Sequence, residues 1–546
     1  MEFNYSRQNL SRKERRLERA FEIVPGALSW LILLSMITLS VSYPLVAAVL
    51  IIAFEIYWIL RLVYMTIFLW LSFFRLSLDE DTDWLKWIGE IDRLKHKTPQ
   101  IPSGGESWSF KQRIADYIHR KQIHALKTSN QEIPGSENIY HLVIIPVAKE
   151  AYGIIKPSID GILRGSYPAQ RIVVCIAIEE WADERVKKGV IRIQDEFRET
   201  FMDLHVIVHP SGLAGEARVK GANTTHAART AAHYFRGMGI PHENIIVSCF
   251  DADTVPGSDY FTCLTYYFLV TPCRHQASFQ PIPVYNNNIW EASSFARVLD
   301  IGSSFVQMIE ATDPEKQITF SSHSMSFKTL IELGYWSRDI ISDDSSIYWK
   351  AFLHFDGHYE VVPMYVTLSM DVTQADSVMK TFVNVYKQKR RWAWGVENFP
   401  IVMRGFLLAR NIPLKKKIKH GFKLLERHIN WATWPFLLSI VSWLPALFGD
   451  REFFSTTVYY SAPQVRSVIF QLASVSLISC ILTSLLLLPK KKVKHHTLRK
   501  IKHAFEWLLV PVVSVVLGAI PALDAQTRLM FGRYMDFWVT DKFRKM

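Results

Sequence analysis

The sequence contains few cysteines, and their spacing is irregular. Five occur in 546 residues, and no two of them form a CxxC pair. A disulfide framework or a structural zinc site needs paired or regularly spaced cysteines. The sequence therefore argues against both, and we interpret the cysteines as packing residues.

Motifs of several large enzyme classes are also absent. The chain contains no GxxxxGK[ST], no HExxH and no GxSxG. These motifs supply a phosphate-binding loop, a zinc-binding helix and a serine nucleophile, respectively. Their absence disfavours P-loop, metalloprotease and serine-hydrolase chemistry.

Charge is missing from long stretches at both ends of the chain. Ile23 to Phe54 carries no Asp, Glu, Lys or Arg, and further apolar blocks run from Trp431 to Gly449, Val468 to Leu488 and Trp507 to Leu523. A helix that spans a bilayer needs about 20 mostly apolar residues. We therefore predict membrane segments at both ends and none in the middle.

Details of these apolar blocks refine the prediction. Ser42-Tyr43-Pro44 breaks the first block and predicts a hairpin between two spans. Glu55 and Arg61 follow within the second span, where charges are costly, so they face other helices, pair with each other or lie where the helix leaves the bilayer. Pro511 and Pro521 interrupt the last block, which either crosses the membrane or re-enters it.

The net charge of +12 arises mainly from basic residues beside the apolar blocks. Basic clusters of this kind mark the cytoplasmic side of a membrane. We expect an integral protein of the bacterial inner (plasma) membrane with a cytoplasmic central domain. No nucleic-acid partner is expected, because the middle of the chain lacks a basic groove pattern with interleaved aromatic residues. The clusters comprise Arg7, Arg12, Lys13, Arg15, Arg16, Arg19, Lys415, Lys416, Lys417, Lys419, Lys490, Lys491, Lys492, Lys494, Arg499 and Lys500, with Arg528, Arg533, Lys542, Arg544 and Lys545 near the end.

The central region alternates short apolar runs with polar helical stretches. The runs are Leu142 to Val147, Arg171 to Ile178, Leu204 to Val208 and Ile245 to Phe250. This alternation predicts βαβ units and a sheet with helices on both faces. We divide the chain into a basic arm with a transmembrane hairpin (1–77), an amphipathic connector bearing Trp84, Trp87 and Trp108 (78–136), the α/β domain (137–370), interfacial helices (371–428) and a C-terminal transmembrane region (429–546).

Acidic residues follow three of the predicted strands. Glu150 follows the first, Glu179 and Glu180 the second, and Asp251-Ala252-Asp253 the fourth. Ligands of such sheets bind beyond the carboxyl ends of the strands, although single acids there equally suit the caps of the following helices. Asp251 and Asp253 together can bind a hard divalent cation, Mg²⁺ or Mn²⁺, and leave positions open for diphosphate oxygens.

Two further clusters lie nearer the C-terminus. Ser342-Asp343-Asp344 offers a carboxylate that can act as a general base, and we assign this role to Asp344.

Gln388-Lys389-Arg390-Arg391-Trp392 is predicted to open a helix. There Arg391 offers forked donors to phosphate, and Trp392 offers a flat face to a sugar ring. The alternative is an interfacial helix with snorkelling arginines and a tryptophan in the aromatic belt. Both interpretations are compatible.

The motifs described above occur in a fixed order: Glu150, Asp251-Ala252-Asp253, Ser342-Asp343-Asp344 and the segment from Gln388 to Trp392. This order resembles that of the membrane-integrated family 2 glycosyltransferases, which include cellulose, chitin and hyaluronan synthases. The resemblance runs from Tyr140 to the terminal spans and implies a GT-A fold. It implies that Glu150, Glu179, Lys220, Asp251 and Arg391 bind the donor nucleotide and that Asp251 and Asp253 hold the metal. It further implies that Asp344 is the base and that Asp343, Gln388 and Trp392 contact or gate the acceptor. Ser342-Asp343 replaces the family's usual Thr-Glu, and Glu179-Glu180 stands where the family often has Asp.

The sequence thus predicts an inverting, metal-dependent transfer from a nucleoside diphosphate sugar to a glycan or lipid-linked acceptor at the membrane. The basic helix from Lys415 to Arg427 is expected to rest on the anionic leaflet. Ser321-Ser322-His323-Ser324 lies ahead of the acidic pair and could touch the acceptor, but we favour its interpretation as a polar loop. The alternative function is a non-catalytic membrane scaffold or sensor that retains a nucleotide-sugar-binding fold.

Overall fold

The structure is a computed structural model that describes residues 3–8, 10–95, 109–129, 131–315, 317–489 and 496–540. The chain forms two compact units. The first comprises Met1–Asn9, Ser72–Asn287 and Glu310–Asp371, and the second comprises Leu10–Leu71, Asn288–Ile309 and Val372–Met546. Trp108, Lys490, Lys491, Lys492, Lys494, Lys542, Arg544 and Lys545, on which part of the predicted topology rests, lie outside the described residues.

Helices of the described ranges occur throughout the chain. They are α1 (Arg12–Ser42), α2 (Pro44–Glu80), α3 (Trp84–Lys95), α4 (Phe110–Thr128), α5 (Tyr152–Leu163), α6 (Glu184–Phe197), α7 (Lys220–Gly237), α8 (Tyr260–Val270), α9 (Ser294–Ala311), α10 (Phe327–Glu332), α11 (Asp343–His354), α12 (Val378–Ala393), α13 (Asn398–Leu408), α14 (Leu414–Ser439), α15 (Leu444–Phe448), α16 (Arg451–Phe454), α17 (Thr457–Leu486), α18 (His496–Glu506), α19 (Val510–Val513) and α20 (Ile520–Met530).

The strands all belong to the first unit and form one mixed sheet of order β3-β2-β1-β4-β7-β6-β8-β5. Strands β3, β2, β1 and β4 are parallel, whereas β7 is antiparallel to both of its neighbours. The strands are β1 (Tyr140–Val147), β2 (Ile172–Glu179), β3 (Asp203–His209), β4 (Ile245–Cys249), β5 (Val255–Pro256), β6 (Ala277–Tyr285), β7 (Ser324–Ser326) and β8 (Glu360–Met370).

The four apolar runs recognised in the sequence are the four parallel strands. Val, Ile and Leu dominate them, and β2 is buried up to its last residue, as expected for strands covered on both faces. Helices α5, α6 and α8 pack in the large apolar core on one face, and α7 contacts β1, β2 and β3. The predicted fold class is confirmed: a mixed α/β sheet with helices, and apolar helices at both ends of the chain.

Helices α3 and α4 belong to the first unit and do not form a separate amphipathic connector as predicted. The Trp84 side chain is 3% exposed, and its ring centre lies 5.2 Å from that of Tyr266 and 5.8 Å from that of Tyr267 on α8. Trp87 stacks on His119 of α4 at 4.4 Å. Trp84, which suggested a membrane interface, instead fills the core, and Trp87 packs against that core, since large aromatic rings bury much apolar surface there.

Five helical stretches are long and apolar enough to cross a membrane, and they are Arg12–Ser42, Pro44–Glu80, Leu414–Phe448, Thr457–Leu486 and Thr497–Met530 in the described chain. The predicted break is confirmed, since α1 ends at Ser42 and α2 begins at Pro44. Pro511 and Pro521 occupy the first turns of α19 and α20. Backbone N–H groups of a first turn have no intrahelical acceptor, so a proline there removes no hydrogen bond. The last block is therefore helical through both prolines.

The two charges inside α2 pair with charges on other helices of the second unit. Arg61 Nη1 lies 2.9 Å from Glu426 Oε1 on α14, and Glu55 Oε1 lies 3.8 Å from Arg466 Nη2 on α17. Burying an unpaired charge in apolar surroundings is costly, and a partner on a neighbouring helix removes most of that cost. Of the alternatives left open by the sequence, interhelical pairing is the one observed.

We expect Trp84→Ala to lower the free energy of unfolding by about 3–5 kcal/mol, because it removes a fully packed indole from the core. Denaturant unfolding of the detergent-purified chain measures this change. Leu85→Ala is the matched control: Leu85 is 51% exposed on the same helix, so its loss should cost about 0.5 kcal/mol or less. Equal effects of the two substitutions would contradict the packing of α3 described here.

Candidate active site

Asp251 and Asp253 directly follow β4 at its carboxyl end. Asp251 Oδ2 accepts a 2.6 Å hydrogen bond from Ser321 Oγ. Asp253 is 2% exposed, and its Oδ2 accepts a hydrogen bond from the Asp371 backbone N–H at 3.1 Å. Asn287 Nδ2 donates to the Asp253 backbone carbonyl at 2.9 Å. The Asp253 carboxylate thus accepts from the backbone directly after β8, whereas the Asp251 carboxylate is held by a side chain.

Lys220 joins Asp251 to Asp344. Its Nζ lies 2.9 Å from Asp251 Oδ1, 3.0 Å from Asp344 Oδ1 and 3.3 Å from Asp344 Oδ2. We call this arrangement of Lys220, Asp251 and Asp344 the lysine bridge. It brings together residues 251 and 344 from distant parts of the sequence, as the predicted catalytic set requires.

Burial shapes the electrostatics of the lysine bridge. The Lys220 side chain is 10% exposed, and burial opposes its charged form. The carboxylates of Asp251 and Asp344 outweigh burial and raise the pKa of Lys220 well above its ordinary value. The lysine therefore stays protonated at neutral pH and neutralises part of the acidic charge around it.

Close packing at the start of α7 fixes the base of the Lys220 side chain. A Cβ on Gly221 would lie 2.2 Å from the Ser337 carbonyl oxygen and 3.3 Å from Asp343 Cβ, so glycine is needed for this approach. Asn223 Nδ2 donates to the Ala177 carbonyl of β2 at 2.8 Å, and Thr225 Oγ1 donates to the Trp336 carbonyl at 3.1 Å. Helix α7 is thus anchored to the sheet and to the segment before α11.

Asp343 and Asp344 occupy the first turn of α11, where the helix dipole favours negative charge. Asp343 is buried, and Asp344 is the more accessible of the two. Thr319 Oγ1 donates to the Asp344 backbone carbonyl at 2.6 Å. The more exposed carboxylate is therefore the one that was predicted to act as the base.

The Ser321–Ser324 segment forms a turn that leads into β7, as predicted for a polar loop, but it is buried and not exposed. Ser321 donates to Asp251, and Ser322 Oγ lies 2.8 Å from Thr254 Oγ1, with Ser322 in the left-handed region at φ 62°. His323 Nδ1 lies 3.1 Å from the Phe320 carbonyl oxygen and 3.9 Å from Asp344 Oδ1, and burial lowers the pKa of His323. Sequence reasoning favoured a polar loop for this segment and assigned no site role to Ser321 or His323, because both precede the three-residue strand β7 and no alternation marks them as buried.

Glu150 and Glu179 have different surroundings. Glu150 Oε2 accepts hydrogen bonds from the N–H groups of Ala148 and Lys149 and closes the turn after β1. Glu179 Oε2 lies 3.0 Å from His209 Nδ1, while His209 Nε2 lies 2.9 Å from Glu216 Oε2. Burial raises the pKa of Glu179, and His209 opposes that rise. Glu180 accepts from the Ser211 N–H. These acids line the ends of β1 and β2.

Gln388, Arg391 and Trp392 lie in the second unit, at the end of α12. The prediction that this motif opens a helix is wrong, because Ser377 caps the helix upstream and the motif forms its last turns. Lys389 is buried, pairs with Asp300 at 2.7 Å and lies 3.8 Å from the centre of the Trp392 ring. The buried lysine thus orients the Trp392 indole.

A C-terminal segment beyond α20 packs on the same helix and was not predicted. The Arg391 guanidinium lies 5.1 Å from the centre of the Phe537 ring, and Lys387 Nζ lies 5.3 Å from that of Trp538. Lys387 and Arg391 are four residues apart and share a helix face. The adjacent aromatic residues Phe537 and Trp538 were the signal in the sequence that could have indicated this contact.

Asp251 and Asp253 are the residues that would hold the implied divalent metal. Within the described ranges, no group of three or more His, Cys, Asp or Glu side chains is arranged to hold a metal by itself. Mg²⁺ commonly binds through one or two carboxylates, with substrate phosphates and water completing its shell. The oxygen donors of Asp251 and Asp253 fit such a cation, and the Lys220 ammonium already places one positive charge against Asp251.

Residues 246–488 match the sequence profile described as "Glycosyl transferase family group 2", which includes Asp251, Asp344 and Arg391. The matched region is therefore similar to the glycosyltransferases of that group. No curated protein matches the chain.

Two solved structures are distantly similar. A mannosyltransferase from Pyrobaculum calidifontis, PcManGT, in complex with GDP-Man and Mn²⁺, is 16% identical over 73% of this chain and 99% of its own, with a TM-score of 0.39. TarS residues 1–349 from S. aureus, in complex with UDP, is 12% identical over 74% of this chain and 95% of its own, with a TM-score of 0.35.

We expect Gly221→Ala to lower the free energy of unfolding by about 1–3 kcal/mol, because the new methyl group overlaps the Ser337 carbonyl oxygen. Gly237→Ala is the same substitution at the other end of α7, where a Cβ meets nothing within 4 Å. It should leave stability unchanged or raise it by about 0.5 kcal/mol. Denaturant unfolding of both variants checks the prediction, which fails if Gly221→Ala is as stable as Gly237→Ala.

Proposed function

We propose that this chain is an inverting membrane glycosyltransferase that uses a nucleoside diphosphate sugar. The lysine bridge carries the proposal, because it gathers a carboxylate of the Asp-x-Asp pair, a second accessible carboxylate and a cation at the strand ends. Such a set can stabilise a departing diphosphate and remove a proton from an attacking hydroxyl group. The family profile matched by residues 246–488 supports the same chemistry.

In the proposed reaction the acceptor hydroxyl oxygen attacks the anomeric carbon of the donor sugar. The bond from that carbon to the diphosphate oxygen breaks, and its electron pair leaves with the nucleoside diphosphate. The acceptor proton passes to the Asp344 carboxylate. Attack opposite the leaving group inverts the anomeric centre, so one base suffices and no covalent sugar–enzyme intermediate forms.

The leaving diphosphate gains negative charge, which the site must stabilise. Lys220 and Arg391 are proposed to contact its oxygens, with Glu150 and Glu179 closer to the nucleoside. Mg²⁺ or Mn²⁺, held by Asp251 and Asp253, supplies further positive charge to the diphosphate when bound. Asp343, Gln388 and Trp392 are proposed to contact or gate the acceptor, and Trp392 suits stacking on a sugar ring.

The acceptor is proposed to be a growing polysaccharide or a lipid-linked glycan at the cytoplasmic face of a bacterial inner membrane. The five apolar helices support a membrane location. In the first turns of α14, Leu414, Ile418 and Phe422 are exposed at a spacing of four residues and are interleaved with lysines. A stripe of this kind suits the surface of an anionic leaflet, as proposed for Lys415 to Arg427.

Asp344→Asn tests the proposed base. We expect sugar transfer to fall by about 10²–10⁴-fold, because the amide accepts no proton, while the nucleoside diphosphate still binds. Nucleotide release from a panel of uridine and guanosine diphosphate sugars, with and without Mn²⁺, measures the reaction in detergent-purified protein. Asp160→Asn changes an exposed aspartate of α5 and should leave the rate unchanged. Metal-dependent release in neither wild type nor variant would instead favour the non-catalytic scaffold.

Arg391→Ala tests the proposed contact of Arg391 with the donor diphosphate. We expect the KM for the donor to rise about tenfold or more, since a forked, charge-assisted contact to phosphate is lost. Lys387→Ala is the matched control: it removes a cation that lies beside the same C-terminal aromatic segment, one helical turn away. A similar rise in both variants would indicate that the C-terminal packing, and not a phosphate contact, causes the effect.

A further inference from the structure

Lys220 and Ser321 occupy the carboxylate oxygens of Asp251 that a divalent cation would use. Its ammonium group donates to Asp251 Oδ1 and to both oxygens of Asp344, so all three of its N–H bonds can be used. Asp251 Oδ2 accepts from Ser321 Oγ at 2.6 Å. Both oxygens of Asp251 therefore have protein partners.

A divalent cation and this ammonium group cannot share Asp251 favourably. A metal ligated by the Asp251 carboxylate would stand within a few ångströms of Lys220 Nζ, and like charges repel strongly at such separations when they are shielded from water. Lys220 is 10% exposed, so solvent screens this repulsion poorly. Before the metal binds Asp251 well, the ammonium group has to move.

We propose, on the basis of the function proposed above, that Lys220 occupies the place of the divalent cation until a nucleoside diphosphate binds. The diphosphate offers the lysine new anionic acceptors and brings phosphate oxygens that complete the metal's ligand shell. The main chain at Gly221 stays fixed by its close approach to Ser337, and the four-carbon side chain swings from the carboxylates to the phosphates.

Two consequences follow from this exchange. Metal and nucleotide bind cooperatively, and each raises the affinity of the other by the same factor. Asp344 also loses its lysine partner when the donor binds, so its carboxylate becomes able to accept the acceptor's proton only in the donor complex. Lys220 thus acts as a positioning residue that sets the order of binding, with donor and metal before acceptor.

The experiment measures Mn²⁺ binding to the full-length, detergent-purified protein by electron paramagnetic resonance of the free ion, without turnover. Wild type should bind Mn²⁺ weakly alone and about tenfold or more tightly with saturating UDP or GDP. Lys220→Met should bind Mn²⁺ more tightly than wild type without nucleotide, and nucleotide should raise its affinity by a smaller factor than it does in wild type, since the phosphate ligands remain but no ammonium group has to be displaced. Lys220→Arg, which keeps the charge, should behave like wild type.

Two controls isolate the effect. Lys156→Met frees another pair of carboxylates, since Lys156 Nζ lies 3.0 Å from Asp160 and 2.7 Å from Glu196, and it should create no tight Mn²⁺ site. The double variant Lys220→Met/Asp251→Asn should lose the nucleotide-independent binding. Denaturant unfolding establishes that each variant is folded before its binding is compared.

The outcomes separate this inference from the proposed function. Equal Mn²⁺ affinity of wild type with and without nucleotide overturns the inference and leaves a metal-dependent transferase intact. Unchanged Mn²⁺ binding in a folded Lys220→Met variant also overturns it. Failure of wild type to bind Mn²⁺ under any of these conditions overturns both the inference and the metal-dependent function.

Discussion

The candidate site depends on a buried ammonium group held between two carboxylates. Lys220 is the first residue of α7, where the helix dipole disfavours a positive charge, and burial removes most of its hydration. Asp251 and Asp344 offset both costs. Asp344 lies in the first turn of α11, where the dipole favours negative charge. The three charges are therefore stable only together, and each fixes where the others lie.

The parallel part of the sheet brings Lys220 close to Asp251. Strands β1, β2 and β4 end at the same edge, and α7 returns along the sheet so that its first residue reaches that edge. Asn223 ties α7 to β2, and Gly221 allows the segment before α11 to approach closely. The same strand order places Asp251 at the edge directly after β4. The topology of the sheet and of α7 therefore brings Lys220 and Asp251 together.

In the second unit, charged side chains in apolar surroundings likewise lie next to side chains of opposite charge. Arg61 and Glu55 of α2 pair with Glu426 and Arg466, and Lys389 of α12 pairs with Asp300. The last pair has a chemical consequence, because Lys389 also lies against the Trp392 ring. A residue pair that first serves to neutralise a buried lysine thus also orients the indole proposed to face a sugar.

Local patterns in the sequence determined the four parallel strands, the break at Tyr43, the apolar helices and the acidic residues after the strands, because each depends on neighbouring residues and burial alone. Tertiary structure decided the rest. Trp84 and Trp87 read equally well as interfacial or core residues until their partners on α8 and α4 were placed. Ser321 and His323 lie in the turn before the three-residue strand β7, where no periodicity indicates burial. The contact of Lys220 with Asp344 joins residues more than a hundred positions apart, and only chain topology can set such a distance.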